Sequence, residues 1–300
     1  MQRFLLLILV QLLTTAVVFR HDVDEKEFIE KAKEAPFDQV VQLHKDQKNG
    51  KESGPSGVLI NDKYVVTAAH NIVYPTSIAE LRFDKFLKSF EHSNRTILSP
   101  DKLSISFNNQ FYKVDTLFIH PHYNGINQEG TQYLDIAVLK LKNPVEEASN
   151  IPLNQDTNEV NKKASFAGYG QSCPAGGNFH QFCKSDEIKR AAQTKIDSTV
   201  QPHKGQNVNS LSEFVPVENE KCNSTFSREP LPLEGSMGAG DSGTGLFIKK
   251  DGQYYLAGIG SMIALIHENE DLIKECFQYG QLNYWVRIST VHEWIAGHIE

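Results

Sequence analysis

The chain has 300 residues, 40% of them apolar, enough to bury a substantial core in one large or two small domains. A formal net charge of −7, with acids and bases interspersed and no basic block, excludes a surface built to track nucleic-acid phosphates. There is no internal repeat and no low-complexity tract.

At the start of the chain, Arg3 precedes the apolar run Phe4–Val10 and Leu12–Leu13, followed by Thr14-Thr15-Ala16. This is the order of a secretory signal peptide, with cleavage expected after Ala16, so that residues 1–16 are the signal. The run is short for a membrane span of about 20 residues, so a retained signal anchor is the alternative and no membrane attachment is expected after cleavage. Residues 17–35 form an N-terminal segment, of which His21 to Glu34 is charged, weakly helical in pattern and expected at the surface.

From Phe37 the texture turns to strands. Val40–Leu43, Gly57–Ile60 and Tyr64–Thr67 are short runs separated by turn residues, a pattern of antiparallel barrels or sandwiches. The third run ends in Ala68-Ala69-His70-Asn71, which sets a histidine at a strand end, where a general base is useful. Val114–Ile119 reads as another strand, followed by the loop His120-Pro121-His122-Tyr123-Asn124. His120 and His122 have no third ligand nearby in the sequence, so no metal is expected there and the pair is read as surface loop. Leu134–Leu141 joins Asp135 to an apolar strand, where a carboxylate is costly unless hydrogen-bonded or paired.

Four cysteines, Cys173, Cys183, Cys222 and Cys276, suit an exported chain in an oxidising compartment. None has C-x-x-C spacing, which argues against zinc or dithiol chemistry and for disulfides. Asn94-Arg95-Thr96 and Asn223-Ser224-Thr225 are glycosylation sequons.

Gly238–Gly245 reads Gly-Ala-Gly-Asp-Ser-Gly-Thr-Gly and admits two readings. A dinucleotide-binding turn needs a strand before it and a helix after it. Here a loop with two prolines, Glu229–Glu234, comes before, and an apparent hairpin through Leu246–Leu256 comes after, so no nucleotide cofactor is expected. The other reading makes Ser242 a nucleophile, with flanking glycines letting backbone N–H groups line a pocket for an oxyanion.

Val65–His70, Leu134–Leu139 and Gly240-Asp241-Ser242-Gly243 together resemble the three motifs of the trypsin/chymotrypsin-like serine proteases, in that family's order. His120–Asn124, Ala167-Gly168-Tyr169-Gly170 and the tail Trp285–Ile299 match further segments, so the resemblance covers residues 36–299. It implies an all-β fold of two six-stranded antiparallel barrels, about 36–145 and 160–288, within a protease domain of 36–300 that ends in a helix. Thr290–Glu293 looks like a capping box opening that helix, with Val291, Trp294, Ile295 and Ile299 as its buried stripe. The implied activity is peptide hydrolysis through an acyl-enzyme. Ser242 would be the nucleophile, His70 the base, Asp135 its orienting acid, and the N–H groups of Gly240 and Ser242 the oxyanion hole. A protein or peptide substrate and a monomer are expected, with no cofactor and no metal. The alternative is a secreted, non-catalytic member of the same fold acting as a binding protein.

This chain departs from the family pattern in several places. Gly243-Thr244-Gly245 stands for the usual Gly-Gly-Pro. Asn71 takes the place of the cysteine after the histidine, with Pro55 or Ser56 at its partner's position, and Gly238 replaces the cysteine before the nucleophile. The expected pairs are Cys173–Cys183 and Cys222–Cys276. Ser236 stands where tryptic enzymes carry an Asp, and Ser261-Met262-Ile263 replaces the pocket edge, with Asn283 a candidate opposite. Substrate-binding roles for Ser236, Ser261 and Ile263 thus imply non-tryptic specificity, unless Glu268 or Asp271 reaches the pocket. In the family an Ile or Val α-amino group, freed by proteolysis, pairs with the acid beside the nucleophile, here Asp241. The matching region, about Val23–Glu30, is too acidic for that, so Asp241 is expected to find another donor.

Overall fold

The computed structural model describes residues 17–47, 50–75, 95–123, 134–176, 183–200, 209–217, 222, 225–226, 229–264, 276 and 278–299. The signal segment 1–16, the sequon residues Asn94 and Asn223, and the acids Glu268 and Asp271 lie outside them. In chain order the strands are β1 (Val18–Phe19), β2 (Val40–Gln47), β3 (Gly50–Leu59), β4 (Tyr64–Thr67), β5 (Val73–Pro75), β6 (Arg95–Ile97), β7 (Leu103–Phe107), β8 (Gln110–Ile119) and β9 (Ala137–Leu141). They continue as β10 (Lys163–Gly168), β11 (Cys173–Pro174), β12 (Arg190–Lys195), β13 (Ser198–Val200), β14 (Asn209–Glu213), β15 (Gly235–Ser236), β16 (Gly245–Lys250), β17 (Gln253–Ala264) and β18 (Leu282–Arg287). The helices used below are α1 (Glu25–Lys31) and α2 (His292–Ala296).

Six strands close into an antiparallel barrel in the order β2-β3-β4-β9-β8-β7. In the second half the order is β12-β10-β16-β17-β18-β14-β13, again antiparallel throughout. The count of seven strands, where six were expected, arises because Ile196 and Asp197 divide one edge into β12 and β13. These two strands stand at opposite ends of the order yet are consecutive in the chain, so the sheet has to curl until its ends meet. The fold is therefore mostly β, chymotrypsin-like, with a closing helix.

Why the strands read as continuous apolar runs is visible in β4 and β9. Successive side chains on a strand point to opposite faces. Val65 and Leu139 fill the interior of the first barrel with Leu43, Leu59 and Ile105. Val66 and Val138 point the other way, into a cluster shared with Phe247, Leu256, Ile259 and Val286 of the second half. Both faces are buried, so neither needs a polar residue. Each such fully buried side chain contributes roughly 1.5–3 kcal/mol.

The N-terminal segment is more than surface. Asp24 caps α1 by accepting from the N–H of Lys26 at 2.9 Å. Phe28 is fully buried and stacks on Phe19 with ring centroids 5.0 Å apart, inside the core of the second half. Glu25 pairs with Arg190, whose side chain is fully buried, so the acidic run docks through one aromatic and one charge. At the other end of the chain the expected capping box does not form: Val291 is the N-cap of α2 without a side-chain bond, and Thr290 Oγ1 instead donates to Arg287 O at 2.7 Å. The buried stripe holds, with Val291 and Ile295 in the core and Trp294 and Ile299 packed against it.

The loop after β8 also leans on α2. The His120 ring lies 4.8 Å from that of Trp294, and no group of three or more His, Cys, Asp or Glu among the described residues could hold a metal. Burial, with His122 and His298 nearby, pushes His120 down to about 4. A histidine whose folded pKa lies below its unfolded 6.5 contributes stability that is present above pH 6.5 and is lost as pH falls through about 4. The melting temperature of His120→Phe should therefore fall less than that of the wild type between pH 7 and 4.5. Parallel pH profiles for the two proteins would refute it.

Candidate active site

β4 and β9 are neighbours, and the register Thr67↔Ala137 sets their far ends side by side. His70 sits in the short 3₁₀ turn Ala69–Asn71 just after β4, and Asp135 lies two residues before β9. Antiparallel pairing thus brings together a histidine and an acid 65 residues apart. Asp135 is fully buried and accepts from His70 N–H at 2.9 Å, from His70 Nδ1 at 2.7 Å and from Ser261 Oγ at 2.7 Å. A carboxylate as acceptor at Nδ1 requires the proton there, which leaves Nε2 with a lone pair able to take a proton.

Ser261 reaches Asp135 because of a register irregularity. In β17 against β18, Gly260 faces Trp285 and Met262 faces Tyr284, so Ser261 is the extra residue of a bulge. Such a residue is aimed differently from its regular neighbours. The residue read from the sequence as part of the substrate pocket thus has its hydroxyl committed to the buried acid.

Ser242 is partly exposed between the buried Asp241 and Gly243. Its carbonyl accepts from Ser56 N–H and from Asn71 Nδ2, both at 3.0 Å, which brings its loop against the turn that carries His70. The loop is further pinned by Gly243 N–H to Gly260 O and Gly260 N–H to Thr244 O, each 2.8 Å. Thr244 N–H donates to Asp241 O at 2.9 Å, and Thr244 Oγ1 donates to Ala167 O. Among the described residues no acceptor takes the N–H groups of Gly240 or Ser242.

Asp241 points inward and is fully buried. Its carboxylate accepts from Gly238 N–H at 3.0 Å and Gly170 N–H at 3.3 Å. Gly168 is adjacent, and a Cβ there would collide with the Asp241 carboxylate, which gives the Ala167–Gly170 string a physical reason. Burial pushes Asp241 up to about 7, against the opposing pull of the two N–H groups and the Arg190 cation. An acid whose folded pKa lies above its unfolded 3.8 contributes stability that is fully present below that value and is lost as pH rises through about 7, because the buried neutral form is the favoured one.

Ser236, Ile263 and Asn283 come together, with β15, β17 and β18 as the carriers. Ser236 Oγ donates to Asn283 Oδ1 at 2.7 Å, Met237 N–H donates to the same oxygen at 2.8 Å, and Asn283 faces Ile263 across the β17–β18 pair. Gln281, which carries no signal in the sequence, adds Nε2 bonds to Ser236 Oγ and to Met237 O, the latter at 2.7 Å. The structure pairs Cys173 with Cys183 and Cys222 with Cys276. The first bond ends on β11, and the second stands in a buried cluster with Val18, Phe214 and Tyr279.

β1 is the feature that sequence reading missed. Val18 and Phe19 pair with Cys173 and Pro174 of β11 on one side and with Ser236 and Gly235 of β15 on the other. The segment aligned by sequence with the family's buried N-terminus, Val23–Glu30, is largely helix α1 instead. Apolar Val17-Val18-Phe19 was visible but merged with the end of the signal-like run.

The sequence profile of the family described as Trypsin matches residues 29–295. The chain belongs to that family, and at family level its function is that of a serine-protease hydrolase acting on protein substrates.

Proposed function

We propose that this trypsin-family chain is an active, secreted serine endopeptidase working as a monomer without metal or cofactor. The observation that carries the reading is the fully buried Asp135 holding His70 at Nδ1, beside a loop that offers Ser242. In that reading Ser242 Oγ attacks the scissile carbonyl while His70 Nε2 removes its proton, and the Gly240 and Ser242 N–H groups receive the oxyanion. The proton then passes to the leaving amine, an acyl-enzyme remains, and water activated by the same histidine releases the acid product. Thr244, which departs from the family's usual glycine, fits the loop by donating to Ala167 O.

Secretion is supported by the signal-like residues 1–16 and by two disulfides. Residues 36–300 would then be the protease domain and 17–35 a strap along it.

A fluorophosphonate probe should label the secreted protein at Ser242. Ser242→Ala and His70→Ala should each remove labelling and lower peptide hydrolysis by about 10⁴ to 10⁶ in turnover. Labelling that persists in Ser242→Ala would show that another residue is the nucleophile.

Specificity follows from the floor around Ser236, where hydroxyl and amides bond one another and, among the described residues, no carboxylate contacts Ser236. Ile263 limits the depth available. A peptide library should return a small or medium uncharged residue on the acyl side of the cut. A dominant preference for Arg or Lys would refute this.

Activation needs no family-type zymogen cleavage in this reading. Asp241 is held by the Gly238 and Gly170 N–H groups, and Val23–Glu30 is occupied in and around α1. Signal removal after Ala16 leaves Val17, itself buried, immediately before β1. N-terminal sequencing of active secreted protein should begin between Val17 and His21; activity that appears only after a cut near Phe28–Ile29 would be the contrary result.

A further inference from the structure

The carbonyl oxygen of Ser242 has two lone pairs and takes two donors, Ser56 N–H and Asn71 Nδ2, each at 3.0 Å. A carbonyl can only accept, so the atom of residue 71 that faces it must carry hydrogen. Asn71 Nδ2 also donates to Thr67 Oγ1 at 3.0 Å, and Thr67 Oγ1 in turn donates to Ser56 O at 2.8 Å. Ser56 N–H returns to Ser242 O, so Ser242, Asn71, Thr67 and Ser56 form a closed ring of bonds. Asn71 is 4% exposed, and Thr67 and Ser56 are fully buried, so water does not compete for these groups. The ring closes tightly over Gly243, which has φ 86°; a Cβ there would collide with Ser56 O, Thr67 Oγ1 and Asn71 Nδ2. It spans from the residue after His70 to Ser242 itself.

We propose that Asn71 is a positioning residue for the hydrolysis, whose side-chain amide holds the Ser242 carbonyl and thereby sets the nucleophile against the turn bearing His70. This rests on Ser242 and His70 being nucleophile and base. Asn71 is buried behind the serine loop and bonds Thr67 and Ser242, so its loss acts on turnover and not on binding. Small displacements of a reacting group are costly in rate. Here Ser56 N–H still holds the carbonyl when the amide is gone, which sets the expected loss at about tenfold and not at the level of a deleted nucleophile.

The test compares wild type, Ser242→Ala, Asn71→Leu and Asn71→Asp by fluorophosphonate labelling rate, kcat, KM and melting temperature. Asn71→Asp keeps the shape and turns an acceptor toward the Ser242 carbonyl. Folded Asn71 variants should lose about tenfold or more in kcat and labelling rate, with KM within about twofold of wild type. Rates within about twofold of wild type in a folded variant, or a loss carried by KM alone, would overturn the proposal. An unlabelled wild type would instead remove the underlying reading of Ser242, and this proposal with it. Should neither Asn71 variant fold, Thr67→Val decides, since it keeps the side-chain shape and removes the hydroxyl that orients the amide. A fall of about threefold or more in kcat at unchanged KM supports the role, and an unchanged kcat overturns it.

Discussion

Asp135 carries its carboxylate to a place with no exposure to water, and much of the surrounding architecture consists of the donors that make this tolerable. A buried charge left without partners costs several kcal/mol. Two of its donors belong to His70, just after β4, and another is Ser261, on the bulge of β17 in the other half of the molecule. This set of donors exists only where both halves meet. The shared cluster of Val66, Val138, Phe247, Ile259 and Val286 keeps them in contact, so apolar packing between the barrels and the orientation of the imidazole are one problem with one solution.

The second buried acid, Asp241, is handled differently. Among the described residues no side-chain cation pairs with it; two backbone N–H groups hold it, and burial raises its pKa toward neutrality. The Arg190 cation also acts on it, itself fully buried and held by Glu25 of α1 and by Asp186. Residues 17–31 therefore enter the second half twice: β1 as a strand between β11 and β15, and α1 through Phe28 and Glu25. Because β15 leads directly into the loop of Asp241 and Ser242, the strap stiffens the frame from which that loop hangs.

Positions that look like losses by comparison with the family turn out to be occupied by hydrogen bonds. Asn71 stands where a cysteine is usual, and its amide reaches both Thr67 and Ser242. Thr244 stands where a glycine is usual, and its hydroxyl reaches Ala167. In both cases a short polar side chain joins the serine loop to a neighbouring strand or turn. Such contacts are weaker than a disulfide but need no cysteine, and they work here because the groups are dry and fully matched.

The sequence by itself determined the fold class and the identities of the chemically able residues. Short apolar runs with turn punctuation could only be antiparallel strands, and the strings around His70, Asp135 and Ser242 are local, so their residue types are readable without coordinates. What the tertiary structure alone decided are matters of register and aim, because a hydrogen-bond partner is chosen by geometry across long stretches of chain. Nothing near Ser261 in the sequence says that it is the extra residue of a bulge in β17 and that its hydroxyl donates to Asp135. Nothing in Val18-Phe19 says that two residues at the tail of a signal-like run pair with strands more than 150 and more than 200 residues away. The capping box at Thr290 failed for the same reason: its side chain found the Arg287 carbonyl in the preceding turn closer than the helix start it was expected to cap.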